Sequence, residues 1–335
     1  MLFGSRLAER VQLFRELATL VDSGMTIGMA LSALEGRPWS VEQRLAVMDG
    51  ARQTMRGKPF SEVMALHPRV FSELNRALVA AGERGGRLDT LLNRIADYQE
   101  QEQEFHQMLS RETFYPKILL LAVLFIPLGT KMIITAIGQS MGAALLAGLM
   151  GLLLYAAVGV VPVVILWQLY RRYMASETGR LALDRMKLRI PLLGKVLQKS
   201  AWARLCRALA ALYEAGVSID QAVALAACTA GNREIEALLR STIPKLQQGT
   251  PLSEALSGTG QVPPLAMSML HTGEQTGGID ATLGKVADYY EAETFTATRQ
   301  MTLAIVPVAV ILFGIIVLMQ LVGFYGGYFG SMTGE

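Results

Sequence analysis

Two long stretches of this chain carry no charge, and no other feature restricts its fold as strongly. From Met132 to Tyr170, and again from Gln300 to Gly334, there is no Asp, Glu, Lys or Arg. A helix needs about 20 apolar residues to cross the hydrocarbon core of a bilayer. Both stretches exceed that length, so both are expected to contain membrane spans. The remaining sequence is ordinarily charged, although 52% of all 335 residues belong to the hydrophobic set.

The spans are expected at about 118–137, 143–167 and 302–325, with Gly138–Gly142 as a tight hairpin between the first two. Lys131 lies near the far end of the first span and reads as a snorkelling side chain, since a lysine at a helix centre costs roughly 2.5–3.5 kcal/mol. Basic residues flank one side only: Lys117 before the first span, Arg171 and Arg172 after the second, and Arg299 before the third. In a three-span topology 30 of the 31 Lys and Arg residues share that side, Lys131 being the exception. The positive-inside rule makes it the cytoplasm and puts the C-terminal tail in the periplasm. Met1–Arg10 is charged early and has no apolar core or cleavage site, so insertion by internal spans is expected.

The cytoplasmic segments repeat each other at a spacing of about 192 residues. Arg15, Leu17, Ala18, Leu20, Gly24 and Ile27 match Arg207, Leu209, Ala210, Leu212, Gly216 and Ile219. Gly57, Pro59, Ser61 and Glu62 match Gly249, Pro251, Ser253 and Glu254. A third block aligns Gly82-Glu83-x-x-Gly86-x-x-Asp89 with Gly273-Glu274-x-x-Gly277-x-x-Asp280, and 8 of the 17 positions from Gly82 to Tyr98 are identical. Three blocks in register mean one domain used twice.

Apolar residues at helical spacing, as in Leu13, Leu17, Leu20 and Val21, predict helices. Gly24 is expected to end the first in a left-handed cap, with Thr26 and Ser218 as N-caps of the next helices. The fold class is therefore all-α: two repeated cytoplasmic helical bundles plus three transmembrane helices. The expected boundaries are 1–112 and 171–299 for the cytoplasmic copies, 113–170 for the transmembrane hairpin, and 300–335 for the third span and a short external tail.

Catalytic signatures are missing. The three histidines, His67, His106 and His271, lack metal-ligand spacing, and neither HExxH nor Gly-x-Ser-x-Gly occurs. Each Gly-Lys pair fails as a phosphate-binding loop: Gly57-Lys58, Gly194-Lys195 and Gly284-Lys285 lack the Gly five residues earlier and the Ser or Thr that follows. No catalytic residue, cofactor or metal is expected. Cys206 and Cys228 read as reduced core thiols. The Gly-Glu-x-x-Gly loops remain, with Glu83, Asp89, Glu274 and Asp280. Either the glycines make a turn and the Asp favours the dipole of the next helix, or the loops offer an acidic surface to a basic partner or a cation.

These loops, the Ala96-Asp97-Tyr98 and Ala287-Asp288-Tyr289 that follow, the opening Phe14…Leu17-Ala18…Ser23-Gly24 with its copy at Leu209-Ala210…Ala215-Gly216, and Arg189-Ile-Pro-Leu-Leu-Gly194 together resemble the type II secretion F-domain family. These are the inner-membrane platforms of type IV pilus and type II secretion machines, and the resemblance covers nearly the whole chain. It implies a non-catalytic, multi-pass inner-membrane platform that couples a cytosolic hexameric assembly ATPase to insertion of pilin subunits. Its implied partners are that ATPase, the transmembrane helices of pilins or prepilins, other inner-membrane components and further copies of the chain, with no nucleic acid. The short leader and small hairpin fit a type IVb or thin-pilus form, and the alternative is the F component of a secretion system. A small transporter fits less well, because the repeat lies outside the spans.

Overall fold

A computed structural model of the protein describes residues 2–114, 192–260 and 262–333, together with 117–119, 121–122, 168, 184–188 and 190. The first two expected spans, their hairpin and Lys131 lie outside the described residues. Among the described residues the secondary structure is helical throughout and contains no strand. The chain divides into two compact units, one of 1–108 with 194–295, the other of 109–193 with 296–335.

The first unit holds both copies of the repeat. Copy 1 comprises α1 (Leu2–Asp22), α2 (Ile27–Leu34), α3 (Val41–Thr54), α4 (Phe60–Leu66), α5 (Glu73–Gly85) and the beginning of α6 (Leu88–Glu112). Copy 2 repeats the order with α7 (Leu193–Glu214), α8 (Ile219–Ala227), α9 (Arg233–Gln247), α10 (Leu252–Ser257), α11 (Pro264–Thr276) and the beginning of α12 (Ile279–Thr333). A short 3-10 turn, Cys228–Ala230, stands between α8 and α9.

The helices end where the sequence says they should. After α1, the Gly24 amide donates to Val21 O and the Met25 amide to Leu20 O, with Gly24 at φ +91°. Copy 2 repeats both bonds, Gly216 to Tyr213 O and Val217 to Leu212 O. This paired closure satisfies carbonyls that the helix end would otherwise leave bare. Thr26 caps α2 by accepting from the Met29 amide, whereas Ser218 occupies the same place before α8 without such a bond.

Each copy buries an apolar face of every helix, and the buried residues form one contiguous cluster running through both copies. In copy 1 the ring of Phe71 meets Phe14 and Phe60 edge-on, with centroids 6.0 and 5.7 Å apart. In copy 2 Cys206 and Leu252 stand where copy 1 has Phe14 and Phe60, and the buried aromatics are instead Trp202 and Tyr290. Cys206 is buried as expected, but Cys228 is exposed, because it sits where α8 gives way to the 3-10 turn at the surface.

In the second unit, the latter part of α12 turns large apolar side chains outward. Leu303, Ile311, Leu318, Met319 and Val322 are all exposed. In water such a stripe would forfeit about 25 cal/mol per Å² left unburied. Among the described residues this helix is long and apolar enough to cross a membrane, over Ile279–Gly323. The Thr302 hydroxyl donates to the Glu112 carbonyl at 3.2 Å within this unit.

Candidate functional site

The two Gly-Glu-x-x-Gly loops have nearly identical geometry. Each signature glutamate reaches across to the N-terminus of a neighbouring short helix. Glu83 Oε1 accepts from the Phe60 amide at 2.5 Å and the Ser61 amide at 3.3 Å, and Glu83 Oε2 accepts from Ser61 Oγ at 2.5 Å. Glu274 accepts from the Ser253 amide at 3.1 Å and from the Ser253 hydroxyl. The first amides of α4 and α10 have no partner within their own helices, so a carboxylate there meets both the bare donors and the positive end of the helix.

The glycines of the motif do two different jobs. Gly82 and Gly273 are buried where consecutive helices touch: a Cβ on Gly82 would lie 3.2 Å from Leu88 Cα, and one on Gly273 would lie 3.2 Å from Ile279 Cα. Gly86 and Gly277 lie at φ +63° and +76°, where a side chain is strained, and end α5 and α11. Asp89 and Asp280 stand in the first turns of α6 and α12, each half-buried. The structure thus brings Glu83 to α4 and Glu274 to α10, and leaves both aspartates at helix starts.

A second duplicated constellation escaped the reading of the sequence. Arg15 of α1 binds Asp97 at 2.7 Å and Glu100 at 2.5 Å, both on α6. Arg207 of α7 binds Asp288 at 2.7 Å and Glu291 at 2.8 Å, both on α12. Each arginine clamps the first helix of its copy to the last. The carboxylates, by hydrogen bonding and charge, hold the Arg15 guanidinium well above its ordinary value, and Arg207 is raised despite its burial. For Glu291, burial outweighs Arg207 and raises the carboxyl above its usual range. The repeat had matched Arg15 with Arg207 and Asp97 with Asp288; conservation of both ends was the signal that they pair.

Between the copies lies a charged seam. Arg94 of α6 pairs with Glu214 of α7, and Cys228 Sγ approaches Glu73 of α5 at 4.0 Å. Deeper in the seam, Tyr98 is enclosed, and burial raises its hydroxyl above the ordinary range, with Glu102 adding to the effect. Burial lowers Arg204, whose Nη2 donates to the Ala230 carbonyl at 3.0 Å. His106 is lowered by burial and by Arg204 and Arg10, while Glu102, 4.0 Å from its Nε2, opposes them.

Beside the Glu274 cap an open cavity of about 540 Å³ is lined by Pro251, Glu254, Met267, His271, Glu274 and Gln275. Among the described residues no three His, Cys, Asp or Glu side chains come together as a metal site. What the loops can offer is carboxylate charge beside apolar surface, not an assembled cation site.

The fold so described is a repeated all-helical domain followed by a helix long and apolar enough to cross a membrane. The family model for "Type II secretion system (T2SS), protein F" matches the chain twice, over residues 13–136 and 205–327, and the chain belongs to that family. It is 34% identical to the type IV pilus assembly protein PilC of Thermus thermophilus, over 93% of this chain and 79% of the relative. It is 30% identical to PilC of Myxococcus xanthus, over 93% and 77%. It is 29% identical to the type II secretion system protein F of Aeromonas hydrophila, over 87% and 78%. The family is thus matched twice, once over each half of the duplication, and each matched segment runs past the expected cytoplasmic copy into the uncharged stretch that follows it.

Proposed function

We propose that this chain is an inner-membrane assembly platform that couples a cytosolic assembly ATPase to the insertion of pilin subunits into a type IV pilus. The observation that carries this reading is the doubled family match together with the long alignment to proteins named for type IV pilus assembly. The same role in a type II secretion system is the second reading, favoured by the relatives named protein F. The platform itself does no catalysis; the energy comes from the ATPase. The chain crosses the membrane three times, with both repeat copies in the cytoplasm and the C-terminus in the periplasm. It works as a homo-oligomer among other inner-membrane components. Glu83, Asp89, Glu274 and Asp280 give each copy an acidic edge for a basic partner surface.

Purification of the tagged protein from its native membrane in mild detergent, with co-purifying proteins identified by mass spectrometry, tests the platform. An assembly ATPase and prepilins are expected, and prepilins of a pilus or of a secretion pseudopilus separate the two readings. Recovery of neither from well-behaved protein rejects both. The acidic edge is tested by Asp89→Asn with Asp280→Asn, which leaves both glutamate caps in place. Loss of assembly with normal insertion is expected; full assembly would leave these aspartates a purely structural role.

A further inference from the structure

The stretch Arg189 to Gly194, distinctive in the sequence, takes no part in the caps or the clamps. It adjoins a basic run that follows the second expected span. Residues 171–189 hold six Lys or Arg against two acids. The equally long stretch before the first expected span, 99–117, holds two against four, and the one before the third, 281–299, holds two against three. The positive-inside rule asks only for an excess of Lys and Arg on one side. It does not account for so dense a cluster at one membrane junction alone.

The structure adds an apolar component. Residues 184–188 are helical, and the Ile190 amide donates to the Lys187 carbonyl at 3.3 Å. Pro191 disfavours helix at the residue before it, which separates this turn from α7 at Leu193. Met186, Ile190 and Leu192 are 57, 44 and 41% exposed. Arg185 is exposed beside Met186, and the half-buried Lys187 pairs with Asp184 at 3.0 Å. Basic and large apolar residues alternate along Arg185-Met186-Lys187-Leu188-Arg189-Ile190. The segment belongs to the same compact unit as the membrane-length part of α12.

We propose that residues 184–192 lie on the cytoplasmic leaflet and bind its anionic lipid headgroups. The basic side chains meet lipid phosphate, and Met186, Ile190 and Leu192 enter the boundary of the acyl chains. Charge favours that occupant, because clusters of roughly 4–8 Lys or Arg directly beside a span are drawn to the negative cytoplasmic surface. The apolar residues between the charges favour a bilayer over nucleic acid, since interfacial segments gain from apolar burial and from anionic lipid together. The proposal rests on the three-span topology given above.

The test uses the full chain carrying Cys228→Ser and Met186→Cys, with Cys206 left buried. The new thiol takes an environment-sensitive fluorophore, and the protein is reconstituted into phosphatidylcholine vesicles with or without phosphatidylglycerol. A blue shift of the emission is expected with phosphatidylglycerol and not with phosphatidylcholine alone. Raising the salt from about 0.1 to about 1 M shortens screening from ~10 to ~3 Å and should remove most of the shift. Arg185→Gln with Lys187→Gln and Arg189→Gln should abolish it. Arg185→Lys with Lys187→Arg and Arg189→Lys should keep it. Emission indifferent to phosphatidylglycerol overturns the proposal and leaves the basic run to topology or to an acidic protein. A shift that survives the three glutamines overturns it as well. A separate label at Leu312→Cys in α12 checks the span, and should report apolar surroundings in both vesicle types and in every variant. If that label reports water, the spanning reading fails and the proposal with it. If it reports lipid while the label at 186 does not respond, the headgroup proposal alone fails.

Discussion

Where copy 1 buries Phe14, copy 2 buries Cys206; where copy 1 has Phe60, copy 2 has Leu252. The polar interior differs as well. In copy 1 the Gln99 amide donates to Asn75 at 3.0 Å inside the core, whereas Ala266 and Tyr290 occupy those places in copy 2. Around these exchanged interiors the punctuation is the same: the glycine closures after α1 and α7, the glutamate caps on α4 and α10, and the arginine clamps. Duplication kept what backbone geometry demands and let core volume drift. A core tolerates coordinated exchanges of apolar side chains, while an uncapped helix end or a side chain at positive φ has no local substitute.

The largest expected effect separates the two cores. Phe14→Ala should destabilise by about 3–5 kcal/mol, because a fully buried aromatic leaves a cavity. Cys206→Ala, at the matching position, should cost on the order of 1 kcal/mol, close to one buried methylene. Denaturant unfolding in detergent, followed by tryptophan fluorescence, measures both. Similar losses would mean that the cores are equally demanding despite their different sizes.

Next come the clamps. Arg207 is only 14% exposed and Glu291 22%, against 38% and 42% for Arg15 and Glu100. Arg207→Ala therefore strands a half-buried carboxylate and should cost about 2 kcal/mol, short of the ~3–5 for a fully buried pair. Arg15→Ala should cost under about 1 kcal/mol, as a solvated pair does. Equal losses in unfolding experiments would show that the clamps carry the same load in both copies.

The caps should show no asymmetry. Glu83→Gln and Glu274→Gln each remove a charged acceptor from a helix start, and each should cost about 1 kcal/mol. A clear difference between them would break the equivalence of the two loops.

The smallest effect concerns the seam between the copies. Burial holds the folded-state value of His106 below its ordinary one near ~6.5. The folded protein therefore resists a proton that the unfolded chain accepts. The stability contribution is full above the ordinary value and declines as pH falls through it toward the folded value. Melting temperatures from pH 7.5 down to 5.5 should fall less steeply in His106→Gln than in the parent protein. Unchanged steepness would assign the acid sensitivity to other groups.

Much of the fold was legible because it is local. Gly24 and Gly216 announced helix ends, the duplicated blocks announced two like domains, and the uncharged run after Arg299 announced a membrane-length helix. Long-range pairing was not legible. Arg15 and Asp97 are 82 residues apart in the chain, and Glu83 caps a helix that begins 23 residues before it. Arg15 and Asp97 stood in the matched blocks, yet their union, and that of Arg15 with Glu100, required the first and last helices of a copy to be laid side by side. Cys228 was expected in the core as a reduced thiol like Cys206, and a single 3-10 turn carried it to the surface.

Periodicity, glycines and charge along one chain report on the backbone near each residue, and from these the sequence alone determined an all-helical, duplicated, membrane-directed protein. Only the tertiary structure decided that the signature glutamates cap helices across the bundle, that arginines clamp each copy shut, and that α3 leaves Val41, Leu45 and Met48 exposed where α9 has Arg233, Ala237 and Arg240. Those facts depend on which helix faces come together in space. The same kind of side chain is core, cap or clamp according to what packs against it.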